Sequence, residues 1–121
     1  MGRMCGDAVF NSTHEVIWND KIFRAAQEHS EDMATNDFFD HIGSDGSNPG
    51  DRLLAQGYSW SAWGEDIALN ARNDVEVINL WLNSPGHCSI IMNPNFFEVG
   101  VGMAVGDNSG LYWTLDMARP K

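Results

Sequence analysis

Residues 96–118 read FFEVGVGMAVGDNSGLYWTLDMA, and their periodicity sets the fold class. Phe97, Val99, Val101, Met103 and Val105 fall on one side of a two-residue repeat. Phe96, Glu98, Gly100, Gly102 and Ala104 fall on the other, as side chains of an extended strand must. A turn at Gly106-Asp107-Asn108-Ser109-Gly110 follows. Leu111, Trp113, Leu115 and Met117 then alternate with Tyr112, Thr114, Asp116 and Ala118, so the last third is a β-hairpin.

Upstream the period lengthens. Asn19 or Asp20 can cap a helix whose inner side carries Ile22, Ala25, Ala26, His29 and Met33, with Lys21, Arg24, Gln27, Glu28 and Glu31 outside, about four turns in all. Asn73 or Asp74 can cap a second helix around Val77, Leu80 and Trp81 that stops at Ser84-Pro85-Gly86, and a short helical turn from His87 to Met92 follows. Between the two helices, Asp37 to Gly64 is rich in Gly, Ser, Asn and Asp with islands of aromatics, and reads as a long ordered loop. Helices early and in the middle with a terminal hairpin indicate a layered α+β domain.

The 121 residues make one domain, with 43% hydrophobic content and enough length for a true core. Seven basic residues against 17 acidic ones leave a formal charge of −10. Such a chain cannot neutralise a run of phosphates, so nucleic acid and anionic membrane are excluded as partners, and cations are favoured. No apolar run is long enough for a transmembrane segment, and residues 1–7 lack the apolar core of a signal peptide. The segment therefore reads as a mature domain or a fragment. Its two cysteines, Cys5 and Cys88, are ambiguous by themselves. They are thiols in a reducing compartment, whereas outside the cell they could close a loop of about 84 residues, stabilising by about 4–5 kcal/mol.

Four residues stand out for chemistry. Glu98 shares a strand face with Gly100, Gly102 and Ala104, too small to fill space beside it, so that face is either open to solvent or a pocket. Glu65 lies in the short apolar segment Trp63-Gly64-Glu65-Asp66-Ile67-Ala68, where acids are usually paired, hydrogen-bonded or metal-bound. His41 and His87 both sit at junctions. Two imidazoles with two carboxylates suit an open zinc-type site, although the spacing contains no local ligand pair to show that they meet. His29, on the inner side of its helix, reads as a structural histidine. Cys88 and His87 diverge by about 100° on a helical turn and do not make a nucleophile–base pair. Ser44-Asp45-Gly46-Ser47-Asn48 lacks the acidic spacing of a calcium loop and reads as a turn. Tyr58, Trp60 and Trp63 are either ligand contacts or staples of the long loop to the core, and stapling is the commoner role.

The order of longer words carries a further signal: Trp18-Asn19-Asp20, Ala25-Ala26-Gln27-Glu28-His29, Phe38-Phe39-Asp40-His41, Gly64-Glu65-Asp66-Ile67-Ala68, Trp81-Leu82-Asn83-Ser84-Pro85-Gly86-His87-Cys88, Glu98-Val99-Gly100-Val101-Gly102 and Tyr112-Trp113-Thr114. From about Arg3 to Ala118 the chain resembles the CAP superfamily of cysteine-rich secretory, antigen 5 and pathogenesis-related proteins, in its bacterial SCP-like branch. The resemblance implies an α-β-α sandwich, a secreted, extracellular protein, and a cleft where His41, Glu65, His87 and Glu98 converge. It implies a divalent metal, zinc in the first instance, on His41 and His87, and a Cys5–Cys88 disulfide bracing the turn that carries His87.

The family's usual first helix would precede Cys5, and the absence of such a segment implies an apolar face that a second copy covers as a homodimer. Asp66 stands where the family usually has Asn, Asp40 where Ser is frequent, and Leu115 where Gln is frequent. The two aspartates add negative charge beside the site, which favours a cation and raises the imidazole pKa values. Two functions fit: a binding module for a peptide, lipid or cell-wall component, or a metal-dependent hydrolase of peptide or peptidoglycan with Glu65 or Glu98 as general base.

Overall fold

A computed structural model describes the backbone at residues 3–5, 8–10 and 16–121 and the side chains from residue 16 onward. Strands β1 (Arg3–Cys5) and β2 (Ala8–Phe10) pair as a small antiparallel hairpin. The short β3 (Ile17–Trp18) leads into α1 (Asp20–Asn36) and α2 (Pro49–Ala55). β4 (Trp60–Leu69), α3 (Asp74–Leu82) and α4 (Pro85–Ile91) come next, and β5 (Glu98–Val105) and β6 (Leu111–Pro120) form the expected hairpin. The main sheet runs β3-β5-β6-β4, with β3 parallel to β5 and the other pairs antiparallel.

Helices cover both faces of this sheet, giving the three-layer α+β sandwich. One face packs α1 and α2 through Ile22, Ala25, Leu53, Tyr58 and Ala118, and through Met33, Ala34, Ile67 and Tyr112. The other packs α3 and α4 through Ala68, Val77, Trp81, Trp113, Leu115 and Met117. Trp81 is buried with its indole N–H donating to the Ile67 carbonyl at 3.0 Å, so its bulk fills the core without an orphaned donor.

The bare face of β5 is neither open nor a pocket: α1 lies directly on it. A Cβ at Gly100 would strike the backbone of Phe23, and one at Gly102 would come within 2.5 Å of Gln27 Cα. Both glycines are required by the close approach of a helix to a strand. Further along the outer edge of β5, the Gln27 carboxamide donates to the Met103 carbonyl and accepts from its N–H, both at 2.9 Å. It thereby occupies the two groups through which another strand would pair.

The segment from Asp37 to Gly64 differs from the expected loop. Asn48 and Asp51 cap α2 reciprocally with Pro49 at its first position, and β4 already begins at Trp60. The irregular parts are residues 37–48 and the four-residue connection 56–59. The aromatics do staple it: Trp60 donates to the Gly50 carbonyl at 2.9 Å and meets Trp63 edge-on at 6.4 Å. β4 escapes a two-residue reading because both its faces are covered, so apolar and polar residues do not alternate along it.

Candidate functional site

The site is built around Glu65. It stands on β4 register-paired with Asp116 of β6, on the face covered by α1 and α2, and its side chain is 1% exposed. Three partners meet it there. His41 Nδ1–H donates to Oε1 at 2.8 Å, and the Arg52 guanidinium on α2 donates to Oε2 at 2.9 Å. Arg52 also donates to the His41 and Ser47 carbonyls, each at 3.0 Å, so one buried cation ties the irregular segment to β4. Asp116 is wholly buried with no donor facing it. Burial and the Glu65 charge push its carboxyl well above the usual range, so it stays protonated beside the Glu65 anion.

Burial by itself would raise the Glu65 pKa. The hydrogen bond from His41 and the charge of Arg52 outweigh it, and Glu65 is held below the ordinary glutamate value as an anion.

His41 is half-exposed, and its hydrogen bond to Glu65 raises its pKa above the ordinary imidazole value. His87 belongs to α4, on the opposite side of the sheet's β4 edge, with Nδ1 3.1 Å from Ser84 Oγ. Its pKa is lowered, first by burial and then by the His41 charge. The expected rise holds for His41 but is reversed at His87. Between the two helical layers at this edge lies a cleft of about 350 Å³, lined by His41, Ile42, Asn48, Pro49, Trp63, Gly64, Glu65 and Ile90. Nδ1 of each imidazole is committed, which leaves Nε2 of each for a ligand. Among the described residues no three of His, Cys, Asp or Glu gather closely enough to hold a metal ion.

Glu98 does not join them. Its carboxylate accepts from Asn19 Nδ2 and from the Tyr58 hydroxyl, both at 2.8 Å. It sits two strands from β4, behind the packed cluster of Ile22, Ala25, Leu53, Tyr58 and Ala118. There it orients Asn19, whose side-chain oxygen accepts from the Lys21 and Ile22 backbone N–H groups at the start of α1. Of the expected four, His41 and Glu65 line the cleft together, His87 is not among its lining residues, and Glu98 is a staple. Of the aromatics, Trp63 reaches the cleft, while Tyr58 and Trp60 are engaged inside the fold.

Asp66 also departs from expectation. Alternation on β4 sends its side chain to the face of Ala68 and Leu115, where it is 1% exposed and neither oxygen has a partner. Burial pushes its pKa up to about 8, so at neutral pH it is mostly uncharged and adds little negative charge to the site.

His29 is the structural histidine expected, donating from Nε2 to the Asp40 carbonyl at 2.8 Å. Cys88 is wholly buried in α4, which packs against β1, while the Cys5 side chain lies outside the described residues. Arg52 and Asp116 were not apparent from the sequence as site residues. The Asn48-Pro49-Gly50-Asp51 cap just before Arg52 was the available signal; Asp116 gave only an acid in an otherwise apolar strand.

An α-β-α sandwich with a histidine-flanked cleft at its sheet edge, anchored on a buried carboxylate, defines a recognisable class of domain. The chain belongs to the cysteine-rich secretory protein (CAP) family, whose model matches residues 12–117. It is 35% identical over 96 residues to the Bacillus subtilis protein YkwD and 33% identical over 86 residues to the Bacillus subtilis membrane protein YlbC. The matches cover 79% and 71% of this chain but only 36% and 25% of those relatives. An extracellular SCP-domain protein from Bacillus anthracis superposes with a TM-score of 0.79 at 29% identity, over 88% of this chain and 34% of that one. An outer surface protein from Borrelia burgdorferi superposes at 0.81 and 20% identity, over 90% of this chain and 80% of that one, a likeness of fold. No helix among the described residues is long and apolar enough to cross a membrane.

Proposed function

We propose that this domain is an extracellular binding module whose recognition surface is the cleft at the β4 edge, with a divalent cation, zinc in the first instance, held by Nε2 of His41 and of His87. The observation that carries this reading is the pinning of His41 Nδ1 by a buried, anionic Glu65, which orients a metal-ligating imidazole. Two nitrogens are fewer than a closed structural site requires, so the arrangement suits an open one whose remaining positions go to the recognised molecule. The cation would supply a positive charge to attract a carbonyl or carboxylate of a peptide or cell-wall component, beside the apolar wall of Ile42, Trp63 and Ile90. Placement outside the cell is in keeping with the extracellular and outer-surface proteins that share the fold.

A Cys5–Cys88 bridge fits the same setting, since β1 ends at Cys5 and packs on the helix that buries Cys88. A hydrolase would need a base with a free oxygen, whereas both oxygens of Glu65 are engaged and those of Glu98 are occupied away from the cleft.

Wild type and His87→Ala, each with and without zinc, test the reading on peptide and peptidoglycan panels. Retention that requires both zinc and His87, without turnover, supports the module. Turnover that depends on both transfers the assignment to the hydrolase, and traces indifferent to both overturn the cation-dependent cleft.

A further inference from the structure

Three consecutive residues of β4, Trp63, Gly64 and Glu65, line the cleft, together with Pro49 from one helical layer and Ile90 from the other. Consecutive side chains of a strand point to opposite faces, so a hollow bounded by all three and by both layers runs along the strand's outer edge. β4 is the last strand of its sheet, with β6 on one side only. Its register fixes which main-chain groups face outward. The Asn70 N–H donates to the Leu111 carbonyl at 2.7 Å, just beyond the Leu69–Tyr112 pair. Asn70 and every second residue before it, Ala68, Asp66 and Gly64, therefore direct their main-chain groups to β6. Trp63, Glu65 and Ile67 direct theirs outward, and the Ile67 carbonyl accordingly accepts from the Trp81 indole of α3. Glu65 is 6% exposed although its side chain is only 1% exposed, so the surface it keeps is nearly all main chain.

The floor of the cleft is thus a strand edge, whose N–H and C=O groups are spaced to match a second extended chain. The walls are apolar on both sides, Trp63 and Pro49 on one and Ile90 on the other, as the alternating side chains of an added strand require. The formal charge of −10 disfavours an acidic segment and favours a neutral or basic one. Resting on the cleft as the recognition surface, though not on its cation, we propose that it binds an extended, neutral or basic peptide as a fifth strand beside β4, through main-chain bonds to Trp63 and Glu65 and apolar side chains against Pro49 and Ile90. The three β4 residues at the floor match about three residues of ligand.

The test begins with a synthetic array of pentapeptides, acetylated and amidated at their ends and varied through all residues at the second and fourth positions, screened without and with zinc. The strongest ligand is resynthesised in three copies, each with one N-methyl group on a different one of its central three residues. Each copy is titrated into isotope-labelled protein, with chitotriose as the glycan control. Strand addition predicts alternation: either the central methyl group or the two flanking it weaken binding about tenfold or more, and the other set leaves it within about twofold. The Trp63 and Glu65 amide protons shift downfield and exchange more slowly in the complex. The proposal is overturned if no array member binds, if the three methyl groups act alike, if those two amides do not respond, or if chitotriose moves them as the peptide does. Zinc-dependent peptide binding without alternation overturns strand addition and leaves the cation reading standing. Alternation that is the same with and without zinc supports strand addition and removes the cation from the reading.

Discussion

Replacing Asp66 with Asn, the residue usual in the family, should stabilise the protein by an amount that depends on pH. Asp66 is buried with both oxygens unpartnered, and its pKa rises from 3.8 to about 8 on folding. A raised carboxyl pKa means that the folded state holds its proton more tightly. Stability therefore falls as pH climbs from the unfolded value to the folded one, by about 1.4 kcal/mol per unit, and the full penalty is present above the folded value. From 3.8 to neutrality is about three units, a ceiling of about 4 kcal/mol, which water penetration and local relaxation reduce to about 2–4 kcal/mol. A carboxamide at this position cannot ionise and escapes this cost. Urea unfolding followed by tryptophan fluorescence at pH 4, 5.5 and 7 should show Asp66→Asn close to wild type at pH 4 and progressively more stable above it. A difference that is the same at all three values, or a variant less stable at pH 7, would refute the assignment of Asp66 as an uncompensated buried acid.

Gly100→Ala drives a methyl group into the Phe23 backbone and should cost about 3 kcal/mol or more in chemical denaturation. Gly86→Ala, which meets nothing within 4 Å, should stay within about 0.5 kcal/mol of wild type. Arg52→Met leaves Glu65 buried without its cation and should cost about 3–5 kcal/mol at neutral pH. The Glu65 pKa, depressed in wild type, would then be governed by burial and rise, so the deficit should shrink as the solution is acidified and Glu65 takes up a proton. Glu98→Gln loses one of two accepted bonds and should cost about 1 kcal/mol, while leaving the His41 and His87 titrations unmoved because it lies outside the cleft.

The sequence shows the pieces that obey a local rule. The alternation from Phe97 to Met117 and the helical spacing from Ile22 to Met33 mark elements whose buried sides are set by their own periods, and the structure contains both. β4 was hidden because a strand covered on both sides has no polar face to alternate with. Glu98 beside Gly100 and Gly102 suggested an empty space, since a sequence cannot show that the partner filling it is a helix far earlier in the chain. The same limit applies to the site. His41, Glu65 and His87 are recognisable from their words, but the pairing of Glu65 with Asp116, and the reach of Arg52 across from α2, arise from sheet register and helix docking.

Histidine titration by nuclear magnetic resonance, in wild type and in His41→Ala, is the sharpest check on the cleft geometry. The proposed two-histidine cleft requires His41 to titrate above the ordinary imidazole value and His87 below it, with the His87 pKa rising when His41 is removed. Two histidines that titrate alike, or a His87 indifferent to the loss of His41, would mean that the rings do not share one cleft.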